Sequence, residues 1–569
     1  MPHAASMPST GLQALILCGP GSSFPTFTSN PDENPKALLP VANRPMVWYP
    51  IDFCLRMGVT DITLICPPTA SRAIKAAMNT NPFLTRLPSP RPDVLAPAGL
   101  DQNTGTAEIL RLPEVRALVK GDFMVLPCDL VCELAGEKLL QAWMVRSASV
   151  TDLLGKDGLS HGHGCRHSGG LGVWYETKTA VAAVKGEETD FIATTPLPLW
   201  PVASAQSSML GRLSKLVYSI PTDSLKDMTE ERNSLPLRHG LLRAHPQVRM
   251  YTTKRDAHIY ILPHWILDFV TENGRLESIG EDVVGWWAKA QWQAGLAEKL
   301  QLDKLCRRRG PQDDEDSTAE SVSPAREASP AGQDGSRKAS TSLRPTAVER
   351  QHRRGLGKGE TWPDFEVPPV VAYIQSADGD EAAAAAATGP VVRRVDTAQL
   401  LLATSLQLAK LPSVEEAGGE ASSPFAHARK VAYPEGVKSR TTITKADCLM
   451  AENVTVEEKT SIKETVIGAG CQIKEGAKLS QCVLMDGVVV GKGCKLTKCV
   501  LGRRCVIGDG SVLTDCEVQE NLLVEAQTED KDNKLMSSEG LEATEAEMEE
   551  VLQEVDQEVA AMADEAMAD

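Results

Sequence analysis

A period of 17 residues, divided six, six and five, runs through the last third of the chain and constrains its fold more than any other feature. Starting at Met450, it lands on Val456, Ile462, Ile467, Ile473, Leu479, Leu484, Val490, Leu496, Leu501, Ile507, Leu513 and Val518. All thirteen positions are aliphatic or Met, in a chain that is only 42% hydrophobic overall. A unit this short cannot bury its apolar face alone. Stacking successive units sets residues one coil apart directly over each other and builds apolar ladders inside a three-sided prism. Thr465, Cys482, Cys499 and Cys516 keep the same period and are expected to form a second interior column. Gly468, Gly491, Gly502 and Gly508 follow guide residues, where a corner is expected to need a permissive backbone.

The hexad spacing resembles the hexapeptide-repeat family, and that resemblance implies a left-handed parallel β-helix. Many such prisms are acyltransferases with a histidine beside the coils as general base, yet Arg429 to Val524 contains no histidine. The prism therefore reads as an assembly surface, whose edges and flat faces suit stacking against a similar prism.

A chain of 569 residues exceeds what one core organises, so at least one further domain precedes the prism. From Leu12 to Val119, short apolar runs alternate with helical patterns (Leu12 to Leu17, Met46 to Met57, Asp61 to Cys66), which indicates a parallel α/β sheet. Phe123 to Leu126 adds a strand ending near Asp129. The pattern dissolves into Gly, His and charge near Gly155 to Thr189, and Arg307 to Gly359 is rich in Ser, Pro, Arg and Asp. Val367 to Ile374 reads as a structured island. Asp396 to Leu411 reads as a helix with Asp396 as its cap.

No stretch approaches the roughly 18 uninterrupted apolar residues of a membrane span, and Met1 to Thr10 lacks a signal-peptide pattern, so a soluble cytosolic chain with no membrane partner is expected. Fourteen cysteines in apolar contexts, without a C-x-x-C pair, read as reduced and buried. His161, His163, Cys165 and His167 lack a second ligand pair at zinc spacing and read as a flexible insertion, with no metal site. Of the formal charge of −17, the stretch Glu525 to Asp569 contributes −14, with 16 acidic residues against Lys531 and Lys534. The near-neutral body argues against direct nucleic-acid binding through overall basic charge.

Leu17-Cys18-Gly19-Pro20-Gly21-Ser22-Ser23-Phe24-Pro25 follows the first strand, where a tight turn offers N–H groups to phosphate. Pro35-Lys36-Ala37-Leu38-Leu39-Pro40, Gln102-Asn103-Thr104-Gly105-Thr106-Ala107 and Asp129 follow in order. Together they resemble the sugar-nucleotide pyrophosphorylase family over residues 11 to 145. The resemblance implies a nucleotidyltransferase-like, Rossmann-like α/β domain in which Lys36 contacts phosphate and Asp129 holds a catalytic metal. The loop departs from the family pattern: it is one glycine short, and Ser23 stands where an arginine belongs. A serine cannot clamp phosphate bidentately, and losing one preorganised donor costs about 3–4 kcal/mol of transition-state stabilisation. Gly19, Gly21, Lys36 and Asp129 are thus candidate relict nucleotide-binding residues, with no catalytic residue expected. Lys36 and Asp129 also read as a surface lysine and a strand-capping aspartate.

Further segments narrow the resemblance. Pro40-Val41-Ala42-Asn43-Arg44-Pro45-Met46-Val47-Trp48-Tyr49-Pro50, Leu126-Pro127-Cys128-Asp129-Leu130, Asp190-Phe191-Ile192, Asp256-Ala257-His258-Ile259-Tyr260 and Arg394-Val395-Asp396-Thr397 resemble the gamma-subunit family of eukaryotic translation initiation factor 2B. That resemblance implies a non-catalytic subunit paired with an epsilon subunit, assembled with alpha, beta and delta subunits. The complex would act as a guanine-nucleotide exchange factor on translation initiation factor 2. In that family the helical-repeat exchange domain belongs to epsilon, and none follows Val524 here. No resident cofactor is expected; residual nucleotide or Mg binding stays open. The alternatives are an active pyrophosphorylase such as a mannose-1-phosphate guanylyltransferase, which the damaged loop disfavours, and an acyltransferase, which the missing histidine disfavours. The expected organisation is the α/β domain over 11–300 with an insertion at 155–189, a disordered linker at 301–361, a partly structured connector at 362–434, the β-helix at 435–524 and an acidic tail at 525–569.

Overall fold

The computed structural model describes residues 10–19, 23–101, 103–147, 169–177, 184, 187–197, 208–232, 234, 237–305, 367–375, 390–419 and 423–537. The His161, His163, Cys165 and His167 cluster, Gly21, the expected linker beyond residue 305 and the acidic tail beyond residue 537 lie outside them.

Runs that are apolar on both faces become interior strands of one sheet. These are β1 (Gln13–Leu17), β2 (Asp61–Ile65) and β4 (Phe123–Pro127), with the less buried β3 (Asp93–Leu95) at the sheet's edge, all parallel. After β5 (Leu130–Cys132) come β6 (Gly170–Glu176), β7 (Asp190–Pro196), β8 (Leu213–Pro221), β9 (Arg249–Leu262), β10 (Val370–Ile374) and β11 (Val392–Arg394). The nine-stranded sheet runs β3-β2-β1-β4-β9-β6-β10-β8-β7, while β5 and β11 form a separate pair.

Two expectations are corrected here. The stretch read as an insertion contains β6, a strand between β9 and β10, and the island at Val367 to Ile374 supplies β10. The α/β domain therefore does not stop at residue 300. Glycines made β6 look like loop, but they serve packing: a Cβ on Gly170 would lie 2.7 Å from the Trp287 ring, and one on Gly172 would lie 2.7 Å from Trp174. Trp287 is fully buried and donates through Nε1 to Pro368 O at 2.8 Å, just ahead of β10.

The C-terminal coils match the period. Met450, Ile467, Leu484, Leu501 and Val518 stack in parallel register, as do Val456, Ile473, Val490, Ile507 and Val524, and Ile462, Leu479, Leu496 and Leu513. All thirteen guide positions are buried, and so is the Thr465, Cys482, Cys499 and Cys516 column. The twelve cysteines among the described residues are free and buried.

The helix extends further than the period alone indicated. Pairing continues through Glu529–Lys531 and Lys534–Leu535, with Asp530 beneath Leu513, so the coils pass residue 524 and the charge at the guide position hides the last one. At the other end Ile443 pairs Ile462 and Val431 pairs Met450, a coil two residues longer than the period. The corner glycines also act differently from expectation. None of Gly468, Gly491, Gly502 and Gly508 has positive φ; instead a Cβ there would fall within 3 Å of the next coil's backbone. The left-handed corners fall at Gly470, Gly476, Gly487, Gly493 and Gly510 and at residues such as Lys498 and Asn521.

One outer face of the prism docks on the α/β domain. Leu449, Val466, Val483 and Val500 join one apolar cluster with Phe24, Phe27, Val41, Met46, Tyr49 and Phe425. Asn43 Nδ2 donates to Ile467 O at 2.9 Å, Arg44 donates to Phe425 O and Ala426 O at 2.9 Å each, and Ser29 donates to Glu520 at 3.0 Å. The helix Ala398–Lys410 packs in the same cluster, capped by Thr397 Oγ1 rather than by Asp396, which is drawn away into an ion pair.

Because Trp287 has no room to retreat, Gly170→Ala should lower stability by about 1–3 kcal/mol, read as a shifted urea midpoint. Gly121→Ala, with nothing within 4 Å of its Cβ position, should stay within about 0.5 kcal/mol of the parent.

Candidate functional site

The carboxyl ends of β1, β2 and β4 lie side by side and lead into Cys18, Cys66 and Cys128, the end of an open parallel sheet where ligands bind. Asp129 follows in the turn to β5. Strand β11 pairs antiparallel with β5, placing Arg394 opposite Leu130, and Val395 N–H donates to Asp129 O at 2.8 Å. This register brings the Arg394 guanidinium onto the carboxylate, with Nε 3.3 Å from Oδ1. Lys36, opening the short 3-10 turn Lys36–Leu38, donates to Oδ2 at 2.7 Å.

Asp129 is 1% exposed and both its oxygens are held by cations. Burial alone would raise its pKa, but the Arg394 and Lys36 charges outweigh burial and hold the carboxyl well below the usual carboxylate range. Burial likewise pulls the Lys36 ammonium down, and Asp129 more than reverses this. The residues do not fit a divalent metal. The carboxylate that would hold it is already neutralised, and the described residues contain no group of three or more His, Cys, Asp or Glu able to bind one.

Behind this clamp stands a second charged layer. The Asp256 N–H donates to Asp190 Oδ2 at 2.6 Å, His258 N–H returns to Asp256 Oδ1 at 2.8 Å, and Tyr260 OH also donates to Asp256. His258 has φ of 55°, within a register shift between Asp256 and Tyr260 where β9 pairs β6. This bulge turns the His258 ring toward Arg394, whose Nη1 lies 3.5 Å from Nδ1. Arg255 pairs with Asp396 at 2.6 Å, and Glu187 lies 3.5 Å from Arg393 and 3.7 Å from Arg255. Burial, followed by the neighbouring Asp256 charge, raises Asp190 to about 7.

His258 and Arg394 line two adjoining cavities. One of about 160 Å³ includes Cys18, Gly19, Lys36, Thr104, Thr106 and Asp129; the other, about 110 Å³, includes Asp190, Arg255, Asp256 and Glu281. Of the predicted site residues, Gly19, Lys36 and Asp129 thus meet at one cavity, and Gly21 lies outside the described residues. Ser23 faces a different cavity, with Thr397, Glu517 and Lys534. The sequence reading missed Arg394, His258, Asp190, Asp256 and Arg255 as site residues. Their signal was present as charges set inside or beside apolar strand text, in the segments that carried the later resemblance or, for Arg255, directly before one.

Arg394→Met should cost about 3–5 kcal/mol near neutral pH by leaving Asp129 half-paired. The parent's contribution is fully present above the unfolded aspartate value of about 3.9 and is lost as pH falls towards the depressed folded value, so the deficit should shrink below about pH 4. Asp190 has the opposite sign. Its folded pKa is raised, so parent stability falls as pH rises from about 4 to about 7; Asp190→Asn should remove that slope and gain about 1–3 kcal/mol above pH 7, read by urea denaturation across pH.

Comparison with known proteins gives two kinds of match. The family model described as the EIF2B subunit epsilon LbH domain matches residues 431–530, and the C-terminal prism is accordingly a left-handed β-helix. Translation initiation factor eIF2B subunit gamma of Schizosaccharomyces pombe is 26% identical over 293 residues, 52% of this chain and 54% of that protein. The Caenorhabditis elegans protein of the same name is 23% identical over 144 residues, 25% of this chain and 34% of that protein. The chain thus spans about half or less of the length of these curated relatives. The chain is therefore similar to eIF2B subunit gamma proteins over about half its length, and its C-terminal prism to the EIF2B subunit epsilon LbH domain.

Proposed function

We propose that the chain is a non-catalytic subunit of a guanine-nucleotide exchange complex acting on translation initiation factor 2, assembled with an epsilon-like subunit and with alpha, beta and delta subunits. The observation that carries this reading is the Lys36, Asp129 and Arg394 clamp. A pyrophosphorylase needs that carboxylate free for a metal and needs cations free for the phosphates. Here the charges satisfy one another, and the β-helix is seated on the segment that follows the altered loop. The fold then acts as a shaped body that presents surfaces to partners. No resident cofactor is required for that role, and a nucleotide in the 160 Å³ cavity would meet Gly19 and the Thr104 and Thr106 side without a metal. No helix among the described residues is long and apolar enough to cross a membrane.

The test is to purify the chain alone and with its epsilon-like partner, then assay GDP release from translation initiation factor 2 and sugar-nucleotide formation. A stable pair whose GDP-release rate exceeds that of the partner alone is the expected result. Metal-dependent sugar-nucleotide synthesis by the isolated chain would refute the proposal.

A further inference from the structure

The β-helix has one face buried against the α/β domain, and a second carries a ladder of like charge. On the face built by Ser461–Lys463, Lys478–Ser480, Lys495–Thr497, Val512–Thr514 and Glu529–Lys531, Lys478 and Lys495 occupy the same outward position in consecutive coils. Lys463 lies in the coil before them and Lys498 at the corner after Thr497. All four are exposed, and none makes an ion pair with a described residue. Strands in register stand about 4.8 Å apart, and like charges placed directly opposite are destabilising. Their outward neighbours within these strands are Ser461, Ser480 and Thr497, while at the corner Glu464 is taken up by Lys410 and Gln481 and Asp515 stands one coil beyond Lys498. The acids of the strands themselves, Glu529 and Asp530, belong to the last coil, two coils beyond Lys495.

The chain continues from this end of the prism. Ser537 N–H donates to Gln519 Oε1 at 2.6 Å, and the following residues 538–569 contain twelve Asp and Glu with no Lys or Arg. Two coils is a distance of about 10 Å, whereas 32 residues reach up to about 100 Å. The tether therefore imposes no geometric barrier and gives the acidic segment a high effective concentration at the lysines.

We propose that residues 538–569 dock within the same molecule on the Lys463, Lys478, Lys495 and Lys498 face, neutralising its ladder and shielding it from other anionic partners. The contact is one of charge against charge at an exposed surface, so it weakens with salt.

Acetylation rates of individual lysines, followed by peptide mass spectrometry, test this on the full chain. The comparison is a full-length variant whose acids at 539–558 are changed to Gln or Asn, with Lys120, exposed on the α/β domain, as reference. Lys478 and Lys495 should react at least about threefold faster in the variant, and also in the parent when salt rises from about 0.05 to about 0.5 M, while Lys120 stays unchanged. In the parent, carbodiimide should couple the segment's carboxylates to these lysines within monomers. Equal rates in parent and variant would overturn the proposal. Protection that grows with protein concentration would overturn it too, since it would assign the segment to a second copy.

Discussion

The buried carboxylate of Asp129 ties together parts of the chain that lie far apart in sequence. Lys36 reaches it from the segment after β1, and Arg394 reaches it from β11, beyond a stretch of the chain that crosses residues 306–366. A buried ion pair is weak evidence of net stabilisation, because desolvation offsets much of the attraction. Breaking one is a different matter, since a lone buried charge remains. The clamp therefore specifies which strands meet: β11 must return to β5, and with it comes the Ala398–Lys410 helix that packs beneath the prism.

The same placement decides what the sheet's ligand-binding end can do. Its position suits phosphate and metal chemistry, but Asp129, Arg394, Arg255 and Asp396 satisfy each other's charges there. His258, held in a left-handed bulge by its N–H bond to Asp256, lines both cavities. In this arrangement the charges at the strand ends are paired with one another.

The prism meets this domain through the Pro40 to Pro50 segment. Ala42 and Asn43 turn through positive φ, which sets Asn43 against the Ile467 carbonyl and Arg44 against the carbonyls of Phe425 and Ala426. Text that resembled a subunit family thus has a physical task, the seating of one domain on the other. Of the two remaining faces, one carries Lys478 and Lys495 in register, without an ion pair to any described residue.

The sequence by itself determined the prism, because a ladder fold repeats its local environment every coil and the period carries that environment in one dimension. Its ends were less legible, since Asp530 at a guide position and a longer first coil break the period. Gly19, Lys36 and Asp129 were legible by motif order, the first two after β1 and the third after β4. Tertiary structure alone decided their meaning. Arg394 is separated from Asp129 by 265 positions and enters only through the β5 and β11 pairing. Gly170 and Gly172 read as loop until the tryptophan rings that need their missing side chains are in place. Such charges and ring contacts depend on which distant strands become neighbours, and no local pattern of residues encodes that choice.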